Sequence, residues 1–179
     1  AEQLGHRDAE GRHLAVLALG EMLSGNGANY LPLVPAAQRV GAIRRLARRL
    51  ADADADVRRA AAMECARLPP ADLVPITRRL VGTLHDRDGS VSDAVVDALE
   101  TLDLATLLPH ADCVRSALDG AHVRVRRAAL RVVVLLLDKG ASADELLAGR
   151  WRERAQEVAQ QVPSVCVPAS LADDVNCGG

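Results

Sequence analysis

The sequence predicts an all-α chain built from stacked pairs of helices, and three observations carry that expectation. A motif recurs along the chain at a constant interval: the step from Leu50 to Leu84 is taken again from Leu84 to Leu118. Of the 179 residues only Tyr30 and Trp151 are aromatic and none is Phe, so the core must be assembled from Ala, Leu and Val. Sandwiches and barrels draw more on Tyr, Phe, Trp, Thr and Ile. Ala- and Leu-rich segments laced with Arg and Glu favour helix instead.

The repeat is legible in three segments. Leu50, Asp54, Val57, Arg58, Ala60 and Ala61 are matched by Leu84, Asp88, Val91, Ser92 and Ala94, and by Leu118, His122, Val125, Arg126, Ala128 and Ala129. A further Leu follows each first one at a fixed offset, at Leu68, Leu102 and Leu136. A fourth copy lies upstream in Leu4, Asp8, Gly11, Arg12, Ala15 and Met22. Leu4 stands farther from Leu50 than Leu50 does from Leu84, so this copy carries an insertion. The Gly-, Asn- and Pro-rich stretch 24–32 around Tyr30 is where that insertion is expected.

Each unit reads as two helices. The first starts at the Val-Arg position after Asp, Ser or Gly residues suited to turns and N-caps. Its alanines (60 and 61, 128 and 129) permit close helix approach, and Val57, Val91 and Val125 are expected to be buried between units. The second helix starts at Leu-Val-Pro (33–35 and 73–75) or Leu-Leu-Pro (107–109), because proline is tolerated in a first helical turn. It continues with apolar residues at helical spacing: Val40, Ile43, Leu46 and Leu50 in one unit, Ile76, Leu80 and Leu84 in another. A last helix is expected from about Ala143 to Gln160, followed by an irregular tail. One domain results, with residues 1–160 as the repeat array and 161–179 as an extended C-terminal tail. Leu14, Leu17, Leu19, Met22 and Leu23 spread over more than one stripe of the first helix. The N-terminal end is therefore expected to dock a neighbour or to continue from more chain upstream.

Composition narrows function. Charged residues are 26% of the chain and the net charge is −2, so no global field draws it to nucleic acid or to an anionic membrane. The longest apolar run, 132–137, is far short of the ~20 residues a membrane-spanning helix needs. Cys65, Cys113, Cys166 and Cys177 form no CxxC pair, which excludes a zinc knuckle or thioredoxin motif. Cys65 and Cys113 read as small buried apolar residues, while Cys166 and Cys177 share the tail, where a disulfide is possible in principle. Reduced thiols and an intracellular compartment are the expectation. The chain opens on Ala1 without a signal-peptide pattern, and a processed product or a piece of a longer chain is expected. None of the five histidines stands in a metal-binding pattern, and no nucleophile elbow, P-loop or Rossmann glycine pattern occurs. The expectation is therefore no catalysis, no cofactor and no metal.

One feature exceeds what the repeat needs. Arg44, Arg45, Arg48 and Arg49 occupy successive turns of one second helix, opposite its apolar stripe, with Arg39 nearby. Arg78 and Arg79 are placed similarly in the next second helix. Like charges at i, i+4 are mildly destabilising, so either solvent and the acidic residues at 52, 54 and 56 offset them or an acidic partner does. Arginine forks suit carboxylates and phosphates. Among the basic residues only Lys139 is lysine. That bias fits either bidentate recognition or a GC-rich coding sequence.

Leu-x-x-x-Asp-x-x-Val-Arg-x-Ala-Ala, paired with a proline-started second helix, resembles HEAT repeats, in particular the short HEAT-like type of the lyase subunits that attach bilins to phycobiliproteins. The resemblance covers residues 4–160. It implies a right-handed α-solenoid of about four two-helix units whose second helices line a concave, partner-facing surface. It also implies that the Asp and the Arg four positions later, here Asp8 with Arg12 and Asp54 with Arg58, tie neighbouring turns together; Ser92 and His122 leave that ladder incomplete. The function expected is a non-catalytic protein-interaction or scaffold module, part of a hetero-oligomeric complex, that takes an acidic surface or peptide on Arg44, Arg45, Arg48, Arg49, Arg78 and Arg79. The alternatives are a phosphate-contacting nucleic-acid binder, which the net charge and the lack of aromatics disfavour, and an accessory subunit of a bilin-lyase-like enzyme.

Overall fold

The computed structural model describes residues 8–24 and 34–172. Leu4, His6, the insertion around Tyr30 and Cys177 lie outside the described residues. Those residues are helical and contain no strand. In order they form α1 (Ala9–Ser24), α2 (Ala36–Arg48), α3 (Ala55–Ala66), α4 (Pro70–Leu73), α5 (Thr77–Thr83), α6 (Gly89–Glu100), α7 (Leu104–Leu107), α8 (Ala111–Leu118), α9 (Val123–Asp138), α10 (Ala143–Leu146), α11 (Arg150–Gln161) and α12 (Ala169–Ala172). No helix among them is long and apolar enough to cross a membrane.

The interval of the sequence repeat is also the interval of the helices. The starts of α3, α6 and α9 are spaced as Leu50, Leu84 and Leu118 are, and the same step separates α4 from α7 and α5 from α8. α1 packs on α3, α3 on α6 and α6 on α9, while α2 lies on α1 and α3, α5 on α6, and α8 on α9. Val57, Val91 and Val125, together with Ala60, Ala61, Ala128 and Ala129, are buried where successive first helices meet. Burial of each branched side chain there contributes about 1.5–3 kcal/mol.

Local chemistry sets the ends. Asp54 caps α3 by accepting from the backbone N–H groups of Asp56 and Val57, and Asp88 caps α6 by accepting from that of Ser90. The hydroxyl and N–H of Ser90, with Arg59, hold the Asp88 carboxyl at a pKa of about 2. Gly140, at φ +95°, ends α9 with a paired closure in which Gly140 N–H bonds Leu137 O and Ala141 N–H bonds Leu136 O.

The second helices are less regular than expected. Pro75 and Pro109 have no N–H to give the preceding turn, and a 3-10 turn (Val74–Ile76, Leu108–His110) breaks the helix at each. In the first unit that register is held by Gly41 and α2 runs unbroken; Pro35 stands just before the helix, not at the position of Pro75. The expected last helix also divides: Gly149, at φ +62°, separates α10 from α11. Beyond α11 the chain turns back, with Leu171 buried and its carbonyl accepting from Gln156 Nε2 at 3.0 Å. On α11, the Arg150 guanidinium lies 4.5 Å from the centroid of the Trp151 ring.

Arginine–aspartate pairs join the units at a register different from the one the resemblance implies. Arg12 grips Asp52 with two bonds, at 3.0 and 2.9 Å, and Arg58 grips Asp86 at 2.7 and 3.2 Å. The acceptor is thus the aspartate two positions before the capping one, although the capping Asp88 is also reached from the preceding unit, by Arg59 at 2.8 Å. Burial would raise the pKa of Asp52, but Arg12, the Asp54 N–H and Arg49 together hold it below the ordinary carboxylate value.

Other expectations shift as well. Cys65 is buried, which pushes its thiol up to about 12, whereas Cys113 is exposed because its register on α8 is that of Arg45 and Arg79. Leu23 is buried, but Leu14 and Met22 are 59% and 40% exposed.

Candidate functional site

The basic residues are positioned by what their helices bury. α2 turns Ala42, Ile43, Leu46 and Ala47 inward, leaving Arg44, Arg45 and Arg48 on its solvent face. α5 turns Thr77, Leu80, Val81 and Thr83 inward, leaving Arg78, Arg79 and Gly82 outside. Between the two helices runs a groove of about 900 Å³, bordered by Arg44, Arg48, Arg78 and Arg79 over a floor that includes Ala47 and Ile76. His85 and Asp86 also line it.

Of the six arginines singled out from sequence, four border this groove. Arg45 is exposed on α2 but is not part of the lining. Arg49 is turned to the Asp52 carboxylate at 2.9 Å and so belongs to the joint between units. Arg39, also grouped with them from sequence, donates to the Leu23 carbonyl at 2.9 Å and to Asp72. The sequence could not single out Arg39, because Asp72 comes from another turn of the fold, whereas Asp52 lies only three residues beyond Arg49 and was among the acidic residues expected to offset the row.

Among the described residues, the side chains of Arg44, Arg45, Arg48, Arg78 and Arg79 have no ion-pair or hydrogen-bond partner, unlike the arginines of the unit joints. Asp86, the acidic residue in the lining, is already held by Arg58 through two bonds. The groove therefore carries net positive charge over a partly apolar floor. Such a surface can accept carboxylate or phosphate oxygens as forked pairs. Among the described residues no group of three or more His, Cys, Asp and Glu is placed to hold a metal ion.

Sequence reasoning placed Val40 on the buried stripe of α2, yet it is 47% exposed. No signal in the sequence marks it as exposed: Val40, Val74 and Leu108 share one register of the repeat, and a register that is apolar throughout reads as buried. The chain matches no protein-family model, and no curated protein matches it.

Proposed function

We propose that the chain is a protein-interaction module: a right-handed α-solenoid of about four HEAT-like units that holds an acidic segment of a partner within a larger assembly. The observation that carries this reading is the groove between α2 and α5, where Arg44, Arg48, Arg78 and Arg79 meet and the carboxylate in the lining, Asp86, is already held by Arg58. Repeat folds of this kind stack units into extended surfaces, and unpaired arginines on such a surface steer and orient a partner of opposite charge.

The test is a titration of fluorescent acidic peptides against the wild-type chain and against an Arg44→Glu, Arg78→Glu variant, with duplex DNA as the competing ligand. Acidic peptides are expected to bind, and the variant is expected to lose about tenfold or more, roughly 1.4 kcal/mol. Equal affinity for the two proteins would overturn the reading. Tighter, steeply salt-dependent binding to DNA would replace it with nucleic-acid recognition.

A further inference from the structure

Three of the large apolar side chains that the fold leaves in solvent stand at one register of the repeat. Val40, Val74 and Leu108 are 47%, 53% and 43% exposed and follow one another at the repeat's own interval. The residue after each (Gly41, Pro75 and Pro109) is exposed, and so is the alanine three positions before. α2 adjoins the 3-10 turn that precedes α5, and α5 adjoins α8, so these positions form a strip across three successive second helices. Scattered exposed apolar residues need no explanation, but a row at one register does. One helical turn further along stand Arg44, Arg78 and Asp112, so the strip has a border that is basic over α2 and α5 and changes over α8 to an Asp112–Arg115 ion pair.

We propose that this surface takes an amphipathic helix of a partner protein, laid across α2, α5 and α8, apolar on the face that meets the strip and acidic on the flank above Arg44 and Arg78. The proposal rests on the acidic-partner reading above and specifies the partner. The strip is a full helical turn wide, which fits the roughly 100° apolar stripe of an amphipathic helix. An extended strand would offer only a single row of alternate side chains. Adjacent helices pack about 10 Å apart, so the strip is about 20 Å long. A helix rises about 1.5 Å per residue, so about 15 residues cover it, and side chains at i, i+7 and i+14 meet successive ridges. A membrane surface fits less well: interfacial insertion relies on Trp, Phe and Leu, whereas this strip is largely Ala, Val, Pro and Gly and ends beside Asp112.

A display library of random peptides of about 18 residues, long enough to cross the strip as a helix, is selected on the wild-type chain and depleted on the Arg44→Glu, Arg78→Glu variant. Enriched peptides should carry apolar residues at helical spacing with Asp or Glu along one flank. A Val74→Asn, Leu108→Asn variant, changed only at exposed positions and checked for an unaltered melt, should bind them about tenfold more weakly or worse. Enriched acidic peptides without apolar periodicity, or full affinity in the Asn variant, would overturn this inference and leave the acidic-partner reading standing. Enrichment of neutral or basic peptides, or of none, would overturn both. Phosphatidylserine vesicles that bind the wild type but not the Asn variant, with no peptide enriched, would also overturn both in favour of a lipid surface.

Discussion

Ser92 and Gly120 stand at the two positions where the earlier joints carry Arg58 and Asp86, so the third joint has lost both halves of its ion pair together. Neither half is left behind as an unpaired buried charge, which would cost several kcal/mol. Charge returns on the helix faces instead, with the direction reversed: Arg127 and Arg131 of α9 reach back to Asp93, and Arg131 also meets Asp97 and Glu100 of α6.

Restoring the missing pair is expected to fail. A Cβ at Gly120 would come within 2.7 Å of Val125 Cγ1 and 3.0 Å of the Ala117 carbonyl oxygen. Ser92→Arg with Gly120→Asp should therefore lower stability by about 1–3 kcal/mol in chemical denaturation. A gain over wild type would show that this turn relaxes freely.

The start of α9 is open to improvement. Asp54 and Asp88 cap their helices, but His122 at the same register makes no side-chain cap. His122→Asp should raise stability by about 1 kcal/mol, seen as a higher denaturation midpoint. An unchanged midpoint would mean that those backbone N–H groups are already satisfied.

Glu64 introduces a pH dependence. Its side chain is 4% exposed, it pairs with Arg67 at 3.1 Å, and its other oxygen has no hydrogen-bond partner among the described residues. Burial raises its pKa against the opposing pull of Arg67. The folded state therefore keeps a proton that the unfolded chain has already lost. This residue's contribution to stability falls as pH rises from the ordinary glutamate value through the raised one, and stays low at neutral pH. Glu64→Gln should thus melt higher than wild type at pH 7, with the gap closing towards pH 4. A gap that stays constant across that range would rule out ionisation as the cause.

Val125 tests the register of the units. It is 3% exposed at the start of α9, so Val125→Asp should cost about 3 kcal/mol or more by burying an unpaired charge. An unaltered melting temperature would mean that the first helices do not meet as described.

What could be read from the sequence was whatever depended on spacing along one chain. The constant repeat interval foretold the starts of α3, α6 and α9, and the apolar offsets foretold the burial of Val57, Val91, Val125 and the paired leucines. What could not be read depended on where other turns arrive. Arg39 and Arg48 look alike in sequence, yet only Arg39 meets a carboxylate, because Asp72 sits on the next unit. The capping role of Asp54 and the joining role of Asp52 were merged for the same reason. The breaks at Pro75 and Pro109 were readable in principle, since both follow from the missing N–H.

Trp151, under the Arg150 guanidinium on α11, gives the molecule a consequence for spectroscopy. Tyr30 is the only other aromatic residue in the chain, so indole emission originates from a single place, next to α8 and α9. Circular dichroism, by contrast, averages over every helix. Helical proteins can open in parts, with some elements coming apart before others. Heating this chain while following both signals turns that general property into a direct reading. Coincident curves mean that all units melt as one, and a separation between them gives the order in which the two ends come apart.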